Sequence, residues 1–348
     1  MRYFYSSFII TAIGLAAAFF LGGVSAIYIC FLLALLEVSL SFDNAVINAK
    51  VLETMPPVWQ RRFIIFGIPI AVFGMRLVFP LLIVGIASGA GFVEAFFLAV
   101  KNPQEYHALL KSCERQIFVF GGAFLVMVFF EWFFEARSVV WVKFFESNPL
   151  VNALKRSKNI ALLCATLIGL CVVWLTQDVS LAMSYFAALA LHSLISLFSD
   201  IFSPALAQAN HSNATQKVAT NGLAGFLYLE VLDASFSFDG VIGAFALTGD
   251  IFIIAIGLGV GAMFVRSLTI FLVEKKTLAK FRFLEHGAHY AILILGGIML
   301  LKIHFHISEM LTGTIGFGLI LAAFLHSIYS QKTHEKAAKE SENGADQI

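Results

Sequence analysis

A chain of 348 residues in which 59% of side chains are hydrophobic and only 13% charged lies far from soluble domains, where about 25% charge is usual. Its 23 Lys+Arg are matched by 22 Asp+Glu, which leaves no basic surplus for nucleic-acid phosphates. A mean hydropathy of +0.88 excludes a soluble enzyme and a disordered chain alike, and predicts an all-α polytopic membrane protein whose first partner is the lipid bilayer.

A bilayer core about 30 Å thick takes roughly 20 apolar residues per helix. Runs of that kind predict about ten spans, at 6–22, 25–49, 62–86, 117–134, 159–176, 179–199, 222–247, 251–273, 287–303 and 309–329. Gly22-Gly23 and Gln177-Asp178 read as tight turns between antiparallel helices. Residues 91–100 are apolar but too short to cross, so they are expected to be re-entrant or interfacial. Residues 135–158, with Trp132 and Trp141 nearby, read as a short interfacial helix. The polar end, 331–348, reads as a disordered cytosolic tail.

Charge in the connections sets the orientation. With a cytoplasmic N-terminus, seventeen Lys and Arg fall on the cytoplasmic side, against four outside: Lys101, Lys111, Arg115 and Lys302. That asymmetry places both termini in the cytoplasm, in a multi-pass inner-membrane protein. A cleaved signal peptide ending at Val24-Ser25-Ala26 is the lesser reading of residues 1–26, since Arg2 is their sole basic residue. Cys30, Cys113, Cys164 and Cys171 show no CxxC spacing and read as small hydrophobic residues.

The chain repeats itself. Glu37-Val-Ser-Leu-Ser-Phe-Asp43-Asn44 matches Asp233-Ala-Ser-Phe-Ser-Phe-Asp239-Gly240. In the next span of each half, Gly67 precedes Arg76 by the spacing at which Gly257 precedes Arg266, and Gly121-Gly122 and Gly296-Gly297 follow later. The repeats divide the chain at 1–176, with motif span 25–49, and 177–330, with motif span 222–247. The two motifs sit in the second and seventh spans, an odd number of crossings apart, which predicts two inverted-topology repeats of about five helices. Secondary transporters place a substrate site at the interface of such repeats.

An ionisable side chain inside hydrocarbon costs several kcal/mol unless paired or hydrated, so its default reading is functional. Glu37, Asp43, Glu230, Asp233 and Asp239 fall inside the two motif spans. Gly240 and the serines beside the aspartates allow local unwinding there. Together with Asn44 they form a hard, oxygen-rich set suited to Mn²⁺, Mg²⁺ or Ca²⁺ rather than Cu(I) or Zn²⁺. The remaining two cations, Arg76 and Arg266, fall inside spans and read as charge-balancing residues that bias the site between loaded and empty states. A purely structural acid–arginine network is the competing reading. Glu285, His286 and His289 mark the cytoplasmic entrance of the ninth span. Helical His-x-x-His can ligate metal, although a polar interfacial cap is the commoner outcome. His192, inside the sixth span, reads as a packed residue.

These motifs resemble the TerC integral membrane family. Phe73-Gly-Met-Arg76-Leu-Val-Phe-Pro80, Phe238-Asp239-Gly240-Val-Ile-Gly243 and Glu285-His286-Gly-Ala-His289-Tyr290 are similar, more narrowly, to its branch known as a domain of unknown function. The resemblance covers most of residues 20–330. It implies a bacterial-type inner-membrane protein and the family's associations with tellurium resistance and manganese export.

The expected function is secondary transport: export of a divalent cation, Mn²⁺ favoured, through the carboxylate site and coupled to protons by carboxylate protonation. The alternative is a non-transporting membrane assembly or metal/tellurium stress-tolerance factor. An ion channel ranks lower, because clustered carboxylates bind tightly and slow conduction. No enzymatic activity is expected, since HExxH and GxSxG patterns are absent, and no lysine sits centrally in a span to hold retinal.

Overall fold

The computed structural model describes all residues except 1, 90, 136, 138, 156, 158, 203–221, 246 and 346–348. Three of the basic residues that set the expected orientation, Arg156, Lys158 and Lys217, lie outside the described residues. The described elements are all helical. They run α1 (Tyr5–Leu40), α2 (Phe42–Thr54), α3 (Pro57–Pro69), a π-helical segment (Ile70–Val78), α4 (Phe79–Ser88), α5 (Phe92–Lys101), α6 (Pro103–Ser112) and α7 (Glu114–Phe133). The short α8 (Lys143–Glu146) and α9 (Pro149–Leu154) follow, then α10 (Ile160–Thr176) and α11 (Val179–Phe202). The second part holds α12 (Gly222–Phe245), α13 (Ile251–Glu274), α14 (Thr277–Lys280), α15 (Leu284–Leu301) and α16 (Glu309–Ala345).

Six of these helices are long and apolar enough to cross a membrane, and a seventh span results if Pro57–Gly67 and Ile70–Ile86, bent by 47°, act as one. The difference from ten has local causes. α10 is apolar but short, and α12 is long but carries Glu230, Asp233 and Asp239. The third cause is α1, which holds two of the expected spans in one element.

At Gly22 and Gly23 the backbone of α1 leaves the helical region, with φ/ψ of −148°/19° and 67°/−152°. The positive φ of Gly23 is one that side chains with a Cβ rarely adopt. Contacts with α13 show what the break does. Before it, Ser7 Oγ donates to Met263 O at 2.8 Å, Gly14 lies against Val260 and Ile256, and Gly22 faces Ile253. After it, Cys30 Sγ reaches Ile253 O at 3.5 Å, Leu33 packs on Gly257 and Glu37 on Gly261. The chain therefore runs down α13 and back up it, and α1 is a helical hairpin turned at the glycine pair. Gln177, with a left-handed φ of 49°, ends α10 in the same manner, and Asp178 Oδ1 accepts from Ser180 N to start α11.

The sequence-matched helices pack on one another, antiparallel in each case. Glu37 lies beside Gly240 while Asn44 lies beside Asp233. Arg266 lies over Phe63 and Gly67 while Gly259 meets Val72. Gly122 and Gly296 approach back to back, each close to the other's carbonyl, and Trp132 meets His286 and His289 at the opposite end of α15. Glycine permits these approaches: a Cβ on Gly261 would stand 2.5 Å from Glu37 Cβ and 2.8 Å from Ala34 O.

Polarity runs inward. Phe20 is 86% exposed, Ile86 81% and Trp174 75%, whereas Glu37, Asn44, Arg76 and Arg266 are buried. Water would disfavour that distribution and lipid favours it. α5 and α6, ten residues each, fold back on α4, where Gly91 N donates to Gly85 O at 3.1 Å. Residues 135–158 hold two short helices where a single interfacial helix is expected, because Pro149 starts a second element capped by Asn148. The polar end, expected to be disordered, continues α16 to Ala345; its Ala, Lys and Glu are good helix formers.

Candidate functional site

The motif helix of the first half breaks between its two acids. α1 ends at Leu40, α2 begins at Phe42, and Ser41 takes φ −108° and ψ 15°. Ser41 bonds back along the chain: its N–H donates to Glu37 O at 2.9 Å and its Oγ to Glu37 Oε1 at 2.8 Å, a local competition with helical pairing. The interruption expected near the aspartates is thus one residue wide. α12 carries the matched motif without interruption, Gly240 included.

Four side chains meet where the motif helices cross. Arg76 Nη2 donates to Glu37 Oε1 at 2.5 Å, and Nη1 lies 3.5 Å from Asp233 Oδ2. Asn44 Nδ2 donates to Asp233 Oδ1 at 2.6 Å. Arg76 Nη1 also donates to Ala71 O, five residues back, at 2.5 Å. Arg76 lies in the π-helical segment, which begins just after Pro69.

Arg266, the sequence match of Arg76, is disposed differently. Its guanidinium stacks over the Phe63 ring at 3.7 Å and crosses the space that a side chain on Gly67 would fill. Between the arginines lies a cavity of about 10 Å³, room for one water, lined by Asn48, Ala71, Arg76, Asp233, Arg266 and Thr269 among others. Glu230, one turn before Asp233, is buried with neither carboxyl oxygen hydrogen-bonded among the described residues.

Of the six residues expected to hold metal, Glu37, Asn44 and Asp233 come together and Glu230 lies one turn away. Asp43 is buried and capped by Asn44 N at 2.9 Å, and its Oδ2 faces Gly316 of α16. The Asp239 side chain lies outside the described residues. Among the described residues no three His, Cys, Asp or Glu side chains gather as metal ligands would, because a guanidinium stands where the carboxylates converge. Asn48 and Thr269 escape the sequence reading. Asn48 follows Asn44 by one helical turn, a spacing that places both on one face. Glu131 Oε2 lies 3.3 Å from His192 Nε2, so the histidine read as merely packed faces an acid.

At the ends of α7 and α15 a second polar group closes the bundle. Glu285 pairs with Lys50 at 2.8 Å and accepts from Trp132 Nε1 at 3.2 Å. His289 stacks flat on Trp132 at 4.3 Å, with Nδ1 2.8 Å from Glu285 O. His286 Nε2 lies 3.2 Å from Val139 O and 3.4 Å from Glu146 Oε2. The two histidines thus face different partners, as in a polar cap. Glu146, absent from the sequence reading, organises it: the Trp141 and Val142 N–H groups and Tyr290 Oη donate to its carboxylate, each at 3.1 Å. Burial alone would raise the Glu146 carboxyl, but the hydrogen bonds from His286, Val142 and Trp141 outweigh it and hold the group below the usual carboxylate range.

Fold and site together define a polytopic helical membrane protein built around a buried acid–arginine network. The chain belongs to the family described as "Protein of unknown function (DUF475)", whose model matches residues 42–334. No curated protein and no solved structure matches it.

Proposed function

We propose that this protein is a secondary transporter exporting a divalent metal cation, Mn²⁺ favoured, with Mg²⁺ or Ca²⁺ the other candidates. One observation carries the reading: Glu37 and Asp233, matched acids from the two halves, converge inside the bundle on helices that run antiparallel. Antiparallel packing of all three sequence-matched helix pairs is what an inverted repeat of about five helices each, ten spans in all, requires. Both termini are then cytoplasmic in an inner membrane, as the positive-inside asymmetry favours. The resemblance to the TerC family and its association with manganese export points the same way.

Glu37, Asp43, Asn44, Glu230, Asp233 and Asp239 supply the oxygens. Carboxylates hold a hard cation as anions and release it when protonated, so proton entry drives export. Purified protein in liposomes tests the reading. It should move Mn²⁺ down a gradient, and E37Q and D233N, if folded, should lower the rate at least about tenfold, a loss of roughly 1.4 kcal/mol of cargo stabilisation. Folded wild-type protein that carries no divalent cation refutes transport and leaves the membrane assembly or stress-tolerance role.

A further inference from the structure

We propose that Arg76 is a tethered cation standing in the place of the cargo, so that Arg76 and a divalent cation exclude one another at Glu37 and Asp233. The inference rests on the transport reading above.

The guanidinium occupies the point where a bridging ion would sit. It lies 2.5 Å from Glu37 Oε1 and 3.5 Å from Asp233 Oδ2. A hard divalent cation binds carboxylate oxygens at about 2.0–2.6 Å, so an ion between the same two carboxylates overlaps the guanidinium. The charges forbid coexistence as firmly, because a buried arginine repels a dication held within a few ångströms. Loading therefore requires Arg76 to leave. In its absence buried Glu37 and partly buried Asp233 would face each other uncompensated, and breaking a buried pair by removing one partner is strongly destabilising. Arg76 thus gives both carboxylates a partner in the unloaded protein.

Among the described residues, the matched arginine of the second half touches neither Glu37 nor Asp233 as a salt-bridge partner. Arg266 holds the matched position in the second half, yet its guanidinium rests on the Phe63 ring at 3.7 Å. Arg266 lies on a regular α-helix, whereas Arg76 lies in a π-helical segment. Regularising one π turn shifts the register by one residue, about 100° around the axis. That rotation withdraws Arg76 from the carboxylates without unfolding its helix.

Mn²⁺ titration calorimetry on detergent-purified full-length protein tests this, with R76Q and R76K beside the wild type and gel filtration to establish folding. If the Arg76-withdrawn state is a tenth of the wild-type population, removing the tether tightens Mn²⁺ binding about tenfold. R76K, whose shorter head loses the second contact, should fall between R76Q and wild type. In liposomes R76Q should still exchange internal for external Mn²⁺ while losing net export, because its unloaded form carries bare acids. Wild-type protein that neither binds nor moves Mn²⁺ overturns the transport reading. Wild-type binding with R76Q and R76K binding no tighter overturns the tethered-cation inference alone. If R76Q does not fold, R76K decides: binding tighter than wild type supports the inference, and equal or weaker binding overturns it.

Discussion

Asn44 donates to Asp233 across 2.6 Å, joining motif helices 189 residues apart in sequence. Its counterpart lies at the other end of the same crossing, where Gly240, the match of Asn44, faces Glu37, the match of Asp233, with a built Cβ 3.2 Å from Oε2. The two contacts are one arrangement met twice, except that the second lacks the amide. Glu37 receives Ser41 and Arg76 instead.

N44A removes a donor from a partly buried carboxylate and should cost about 1–3 kcal/mol. N44D should cost more, because it sets a second acid against Asp233 at hydrogen-bond distance. Thermal unfolding in detergent, followed by tryptophan fluorescence, reads both. Wild-type stability in N44D would disprove the contact.

Glu230 should separate stability from activity. A buried polar group without a hydrogen bond costs about 1–3 kcal/mol by mutational measure, and both of its carboxyl oxygens lack one among the described residues. E230L should therefore raise the unfolding temperature while lowering Mn²⁺ flux in liposomes. A strictly structural acid predicts the reverse, a less stable protein with its flux retained.

The α1 hairpin makes a topological prediction. If the chain reverses at Gly22-Gly23, reporters fused after Gly23 and after Thr54 report opposite sides of the membrane, and the N-terminus shares its side with Thr54. A single 36-residue span, the full length of α1, would set the N-terminus and Thr54 on opposite sides. G23V should also destabilise, since its φ of 67° suits glycine and strains a β-branched residue.

Much of this was legible in the sequence because a bilayer writes strong signals. Long apolar runs, the glycine pair at the hairpin and acids inside spans all follow from the cost of placing polar groups in hydrocarbon. The different fates of Arg76 and Arg266 were not. Both follow glycine at the same spacing, and the difference comes from neighbours: Pro69 stands where the second half has Gly259, and Phe63 where it has Ile253. Neither substitution announces a guanidinium's position until the helices are packed. Asp43 illustrates the same limit, since its facing residue, Gly316, belongs to α16. Glu146 gave little local signal, for apart from the neighbouring Trp141 and Val142 N–H groups its partners, His286 and Tyr290, lie more than a hundred residues downstream.

Glu146 gives the stability a pH dependence whose sign can be worked out. Burial would raise its carboxyl, and the His286, Val142 and Trp141 hydrogen bonds more than reverse that, so its folded value lies below the unfolded one. A group depressed on folding stabilises above its unfolded pKa, about 4.3 for glutamate, and loses that contribution as pH falls through the folded value. E146Q keeps the shape but removes the anion, and should cost about 1.5–3 kcal/mol at pH 7, the range for hydrogen bonds to charged groups. The gap in unfolding temperature between wild type and E146Q should then narrow as pH falls below about 4. Faster amide exchange across residues 139–154 in E146Q would place the loss in the cap, since Trp141 and Val142 lose their anionic acceptor. A gap that stays constant between pH 7 and pH 3 would mean that Glu146 fills space without acting as an anion.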